Sequence, residues 1–179
     1  MNPIAAYESS VKILPVDATK KQNIAVVGAG PAGLSFAVTA AQRGHNVTLF
    51  DKDNKIGGQF NMAKMVPGKE EFYETLRYFN KQIQLTGVRL ELNTTVTTDM
   101  LKDKYHSVVV ATGVLPRQIS LKKTPDSKVN VYSYVDVLRN NVSVGQRVAV
   151  IGAGGIGYDI SDFLTHGNSL TYLLTYSLT

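Results

Sequence analysis

The pattern that most constrains this chain is written twice: a short apolar run, a cluster of glycines, then small and apolar residues suited to a helix. Ile24-Ala-Val-Val runs into Gly28-Ala29-Gly30-Pro31-Ala32-Gly33, and Arg147-Val-Ala-Val-Ile151 runs into Gly152-Ala-Gly154-Gly155-Ile-Gly157. The first run, continuous and bounded by glycine, predicts a strand buried on both faces, and such strands belong to parallel sheets; the second predicts a further apolar strand. In the first set, Gly28 permits the tight turn, Gly30 lets the backbone approach a pyrophosphate, and Gly33 lets helix and strand pack closely. The helix start adds free N–H groups and the positive end of a dipole. The first set therefore predicts a nucleotide-phosphate site, and Gly152, Gly154, Gly155 and Gly157 predict a second one.

The segments between the two sets suit a doubly wound, Rossmann-type α/β fold. Residues 32–43 predict a helix, with Pro31 near its start and Gly44 just past its end. Val47-Thr-Leu-Phe50 is the next strand and completes a βαβ unit. Residues 69–86 predict an amphipathic helix with Phe72, Leu76, Phe79 and Ile83 on one stripe; the two phenylalanines read as core. Its acidic residues Glu70, Glu71 and Glu74 come early, and Arg77 and Lys81 later, as the helix dipole favours. Residues 89–92 and 106–111 predict further strands. The resulting division is an extended leader over 1–22, a cofactor-binding domain over 23–115, a connector over 116–145, and the start of a second dinucleotide-binding domain over 146–179.

Three further features sharpen the first site. Asp51 ends the second strand at close to the roughly 20-residue spacing beyond the glycines where a carboxylate accepts hydrogen bonds from ribose hydroxyls. Gly57-Gly58 then leads into Gln59 and would let the loop run along a second phosphate or a ribityl chain, which an extended dinucleotide has and a mononucleotide lacks. The strand ending in Ala111-Thr112-Gly113 places a small-residue turn at the carboxyl end of the sheet, against the cofactor. No acidic residue stands near position 175 to close the second site in the same way.

Composition excludes several alternatives. With no cysteine in 179 residues, the chain forms no disulfide, ligates no cluster through thiolates and carries no Cys-x-x-Cys pair, so electron chemistry must come from a bound organic cofactor. His45, His106 and His166 each stand at an element edge without a Cys, Asp or Glu at ligand spacing, so no metal site is expected. No apolar run reaches the roughly 18 residues of a membrane span, and the N-terminus lacks a secretory signal, so a cytoplasmic protein is expected. The formal charge of +5 is spread along the chain, with Lys20–Lys21 and Lys122–Lys123 as the only basic doublets, so nucleic acid is not an expected partner.

With both glycine sets in view, the chain resembles the bacterial 2,4-dienoyl-CoA reductase / NADH:flavin oxidoreductase family. The stretches that carry the resemblance are IAVVGAGPAGLSFA, GHNVTLFDK, IGGQFN, PGKEEFYETLRYF, VVVATGVLPR, SYVDVLR and VAVIGAGGIGYD. It implies that Gly28, Ala29, Gly30, Pro31, Ala32, Gly33, Asp51, Lys52, Gly58 and Gln59 hold FAD. Val96 would contact adenine through its backbone, Ala111, Thr112 and Gly113 would line the cofactor, and Gly152, Gly154, Gly155 and Gly157 would begin an NADPH site. It further implies a relay from NADPH through FAD and an iron–sulfur cluster to FMN in an N-terminal barrel, both of these belonging to a larger parent protein. The run beyond Leu164 departs from the family, and no Gly-Asp dipeptide closes over the flavin. From these departures the chain is expected to be a fragment without enoyl reduction of its own, its last 30 or so residues packing on the first domain, pairing with another copy, or partly disordered. The rival reading is a non-catalytic module for ADP or another adenine nucleotide, which Asp51 and the first glycine set serve equally well.

Overall fold

The structure is a computed structural model that describes residues 5–117, 119–166 and 172–176, the last five as backbone only. The chain divides into two compact units, one of residues 1–58 with 75–113 and the other of residues 59–74 with 114–179.

The first unit is built on a four-stranded parallel sheet in the order β3-β2-β1-β4. Strand β1 (Asn23–Val27) pairs on one side with β2 (Asn46–Phe50), Val26 opposite Leu49, and on the other with β4 (Ser107–Val110), Val26 opposite Val109. Strand β3 (Arg89–Glu91) extends the sheet beyond β2. Helix α1 (Pro31–Gln42) links β1 to β2 and turns Gly33, Leu34, Ala37, Val38 and Ala40 inward. Pro31 opens it, and Gly44, at φ 95°, makes the left-handed step that follows it. Leu34, Leu49 and Val26 are fully buried, each contributing about 1.5–3 kcal/mol of transfer free energy as an upper estimate. The short helix α4 (Thr98–Leu101) precedes β4, whose Val108 and Val110 are exposed at the edge of the sheet.

The second unit holds α2 (Phe60–Ala63), α5 (Tyr134–Leu138), β5 (Arg147–Ile151), α6 (Gly155–His166) and β6 (Tyr172–Tyr176). Strands β5 and β6 pair in parallel, Arg147 opposite Tyr172 and Ile151 opposite Tyr176, so β5-α6-β6 is a second βαβ unit. A capping box starts α5: Asp136 N–H donates to Ser133 Oγ (3.2 Å) and Ser133 N–H donates to Asp136 Oδ2 (2.9 Å). The Ser133 hydroxyl and N–H hold the Asp136 carboxyl below its usual range.

Two boundaries differ from the sequence reading. Residues 59–74 lie within the continuous 23–115 domain expected from sequence, yet group with the C-terminal unit, because Met62 and Val66 share a core with Val137, Leu138, Val150 and Ile160. Helix α3 (Glu71–Thr86) is accordingly divided: Phe72 stacks on Phe60 at 4.5 Å, while Phe79 and Ile83 belong to the core of the first unit. The expected connector 116–145 contains α5, whose Val137 and Leu138 are buried. The tail beyond 146, too short to bury a core by itself, completes one with these two segments. Of the unusual run beyond Leu164, residues 167–171 and 177–179 lie outside the described residues.

Candidate functional site

The chain proceeds from β1 to β2 and β3 on one side of the sheet and then crosses to β4 on the other, so strand order reverses between β1 and β4. In open parallel sheets the crevice at the carboxyl ends of two such strands is where ligands bind. Gly28 and Ala111 follow β1 and β4 directly and meet there. Gly28 has φ 109°, and its N–H donates to Phe50 O (2.8 Å). A Cβ at Gly28 would collide with the Ala111 carbonyl and stand 3.1 Å from Thr112 Cα. A Cβ at Gly33 would collide with the Gly28 carbonyl, so α1 starts as close to the strand as backbone allows.

Gly30 is different. It is the N-cap of α1 in extended conformation, with no side-chain cap, and among the described residues nothing lies within 4 Å of where its Cβ would be. The helix therefore opens onto free space with uncapped N–H groups, the arrangement that suits a phosphate.

Asp51 borders this opening. Its Oδ2 accepts from Ala29 N–H (2.6 Å) and its Oδ1 from Asp53 N–H (2.8 Å). Its own N–H donates to Glu91 O (3.0 Å), and its carbonyl accepts from Thr94 N–H (2.8 Å). The half-buried carboxylate is thus fixed against the glycine turn, and each oxygen retains a further acceptor position for a ribose hydroxyl. Gly57 N–H donates to Ala29 O (2.8 Å), and a Cβ at Gly58, φ 50°, would come within 3.1 Å of Gly30 Cα. The second glycine pair is pressed onto the first.

Residues 28–33, Asp51, Gly58, Ala111 and Thr112 thus come together as one cluster. Pro31 and Ala32 belong to it as the first turn of α1. Gly113, at φ 74°, continues the turn, and among the described residues nothing lies within 4 Å of its Cβ position. Lys52 is exposed, and half-buried Val96 lies two residues past Thr94 with no contact to the glycine turn described. Gln59 falls in the second unit, where its Nε2 donates to Val114 O (3.3 Å). Two contributors have no signature in the sequence: Asp53 and Thr94 act through backbone amides, which any residue supplies.

The second glycine set repeats the local geometry. Gly152 has φ 111°, and a Cβ at Gly157 would collide with the Gly152 carbonyl. Among the described residues nothing lies within 4 Å of a Cβ position at Gly152, Gly154 or Gly155. One turn into α6, Asp159 forms an ion pair with Lys69, Nζ lying 2.7 and 2.6 Å from the two carboxylate oxygens. Also among the described residues, no group of His, Cys, Asp and Glu could hold a metal ion, and no helix is long and apolar enough to cross a membrane.

A family model for pyridine nucleotide-disulphide oxidoreductases matches residues 22–175. Similar curated proteins include a metal reductase of Desulforamulus reducens, 31% identical over 95% of this chain and 26% of that protein. Another is an NADH oxidase of Thermoanaerobacter brockii, 34% identical over 92% of this chain and 26% of that protein. Among solved structures, a 2-naphthoyl-CoA reductase in complex with 2-naphthoyl-CoA has a TM-score of 0.84 and 33% identity, covering 97% of this chain and 26% of that one. The chain spans about a quarter of the length of these relatives.

Proposed function

The chain belongs to the pyridine nucleotide-disulphide oxidoreductase family as a Rossmann-type FAD-binding domain of the kind found in flavoprotein reductases, and from that premise we propose that it holds FAD for an NADPH-dependent reductase resembling 2,4-dienoyl-CoA reductase. The observation that carries this reading is the open space at Gly30, with Gly58 packed against its backbone and the carboxylate of Asp51 fixed beside it on Ala29 N–H. A cradle that a Cβ would fill is what a pyrophosphate needs, so the residues present fit the cofactor.

In this reading the N–H groups of Gly30, Ala32 and Gly33 at the start of α1 receive the pyrophosphate, and Asp51 receives the adenosine ribose. Lys52, Gly58 and Gln59 follow the extended chain of the cofactor. Val96 meets adenine through its backbone, and Ala111 to Gly113 line the flavin side. When bound, FAD would supply two-electron redox chemistry. The residues of this chain bind and orient it; none is assigned as an acid or base. Gly152, Gly154, Gly155 and Gly157 begin the site for NADPH.

Reduction of an acyl-CoA substrate, with FMN and an iron–sulfur cluster in a neighbouring barrel, belongs in this reading to a larger cytoplasmic assembly. Its support is that a relative with which the chain shares 33% identity is a reductase of 2-naphthoyl-CoA, of which the chain spans about a quarter. The test is the visible spectrum of the purified protein with a calorimetric titration of FAD against ADP. Flavin absorbance and tighter binding of FAD than of ADP are expected. Equal affinity for the two, with no flavin spectrum after reconstitution, would instead establish the adenine-nucleotide module.

A further inference from the structure

Lys69 and Asp159 are 90 positions apart and have no place in either glycine set, yet they form an ion pair within the second unit, Nζ 2.6 Å from Oδ2. Both oxygens of the carboxylate face Nζ, and the two side chains are about one-third exposed. Asp159 stands four residues past Gly155, the first residue of α6, and so about 6 Å along the axis from the helix start. That is within the roughly 8 Å over which charge acts at physiological ionic strength. Unpaired, its negative charge would oppose phosphates approaching the glycine turn at Gly154 and Gly155.

We infer that Lys69 is a positioning residue for the pyridine dinucleotide: by pairing with Asp159 it cancels a carboxylate one turn into α6, leaving the helix dipole to attract phosphate. The inference rests on the reading that the second glycine set takes such a dinucleotide. It also accounts for why residues 59–74, which interrupt the first unit in sequence, pack with the second: Met62 and Val66 anchor the segment in that core, and Lys69 is its charged tip. The tip is not a strut in this account but a counter-charge, and the two roles have opposite signatures. Loss of a strut weakens binding whichever partner is removed. Loss of a counter-charge weakens binding when the lysine goes and strengthens it when the aspartate goes.

The test is calorimetric titration of NADP+ into the full chain carrying Lys69→Met, Asp159→Asn, both, or Lys69→Arg, at low and high salt. Lys69→Met should weaken NADP+ binding by about two- to fivefold and Asp159→Asn should tighten it by a similar factor, the range for a single charge at a helix terminus. The double variant and Lys69→Arg should lie near the parent, and the shifts should shrink in high salt. Weakening by both single variants, or by neither, would overturn the inference. Should Lys69→Met fail to fold by circular dichroism, the sign of the Asp159→Asn shift decides alone. A parent chain that binds NADP+ only as weakly as its Gly154→Val variant would remove the underlying reading, and the inference with it. Parent binding lost in Gly154→Val but indifferent to the charge variants overturns the inference alone.

Discussion

The two glycine turns are locally alike and differ in what surrounds them. Gly28 and Gly152 share a left-handed φ near 110°, and in each set the last glycine is forced by the carbonyl of the first. But Gly28 lies against Ala111 at the end of a neighbouring strand, whereas among the described residues nothing lies within 4 Å of the Gly152 Cβ position. The first turn sits at the centre of a four-stranded sheet, the second in a two-stranded one. Strand, turn and helix therefore form from their own residues, while the wall that makes a turn into a crevice comes from a strand far along the chain.

The sharpest way to break this comparison is to add the same methyl group to both turns. Gly28→Ala meets a strained φ and the Ala111 backbone together, and should cost its unit about 3 kcal/mol or more. Gly152→Ala meets only the strain and should cost about 1–2 kcal/mol. Chemical denaturation of both variants, followed by circular dichroism, checks the difference; equal losses would show that Ala111 is not a rigid wall.

A smaller effect on folding, but a large one on binding, is expected at the open glycines. Gly30→Val should leave the melting curve nearly unchanged and weaken FAD by about a hundredfold, roughly 2.7 kcal/mol. Its counterpart Gly154→Val should spare FAD and weaken NADP+. Unchanged FAD affinity in Gly30→Val would count against the phosphate assignment.

The smallest effect separates the units by pH. The Asp136 carboxyl is held below its usual range by Ser133, so its contribution to the second unit is complete above the unfolded value near 3.8 and is lost as pH falls through the lower folded value. Ser133→Ala should slightly destabilise α5 at neutral pH and remove that part of the acid sensitivity, while the first unit is indifferent. Amide exchange across 133–139 at neutral and acid pH reads this out.

Much of the fold was legible because its signals are local. The apolar run Ile24 to Val27 announced a buried parallel strand, and Ile24, Ala25 and Val26 are buried. Pro31 and Gly44 marked the ends of α1 because one fixes φ and the other tolerates its reversal. The similar run before Gly152 forms a strand too, yet its Ile151 is exposed, since burial depends on neighbours that an apolar run does not specify.

By itself the sequence determined the two strand–glycine–helix units, the parallel class of the sheet, and Asp51 at the end of the second strand. Each follows from backbone freedom or side-chain polarity within a few residues. Only the tertiary structure decided that Asp51 is held by Ala29 N–H, that Gly28 faces Ala111, and that 59–74 leaves the first unit to place Lys69 on Asp159. These pairings join residues from 22 to 90 positions apart. No local preference encodes them; they arise from strand order and from the cores that the strands and helices share.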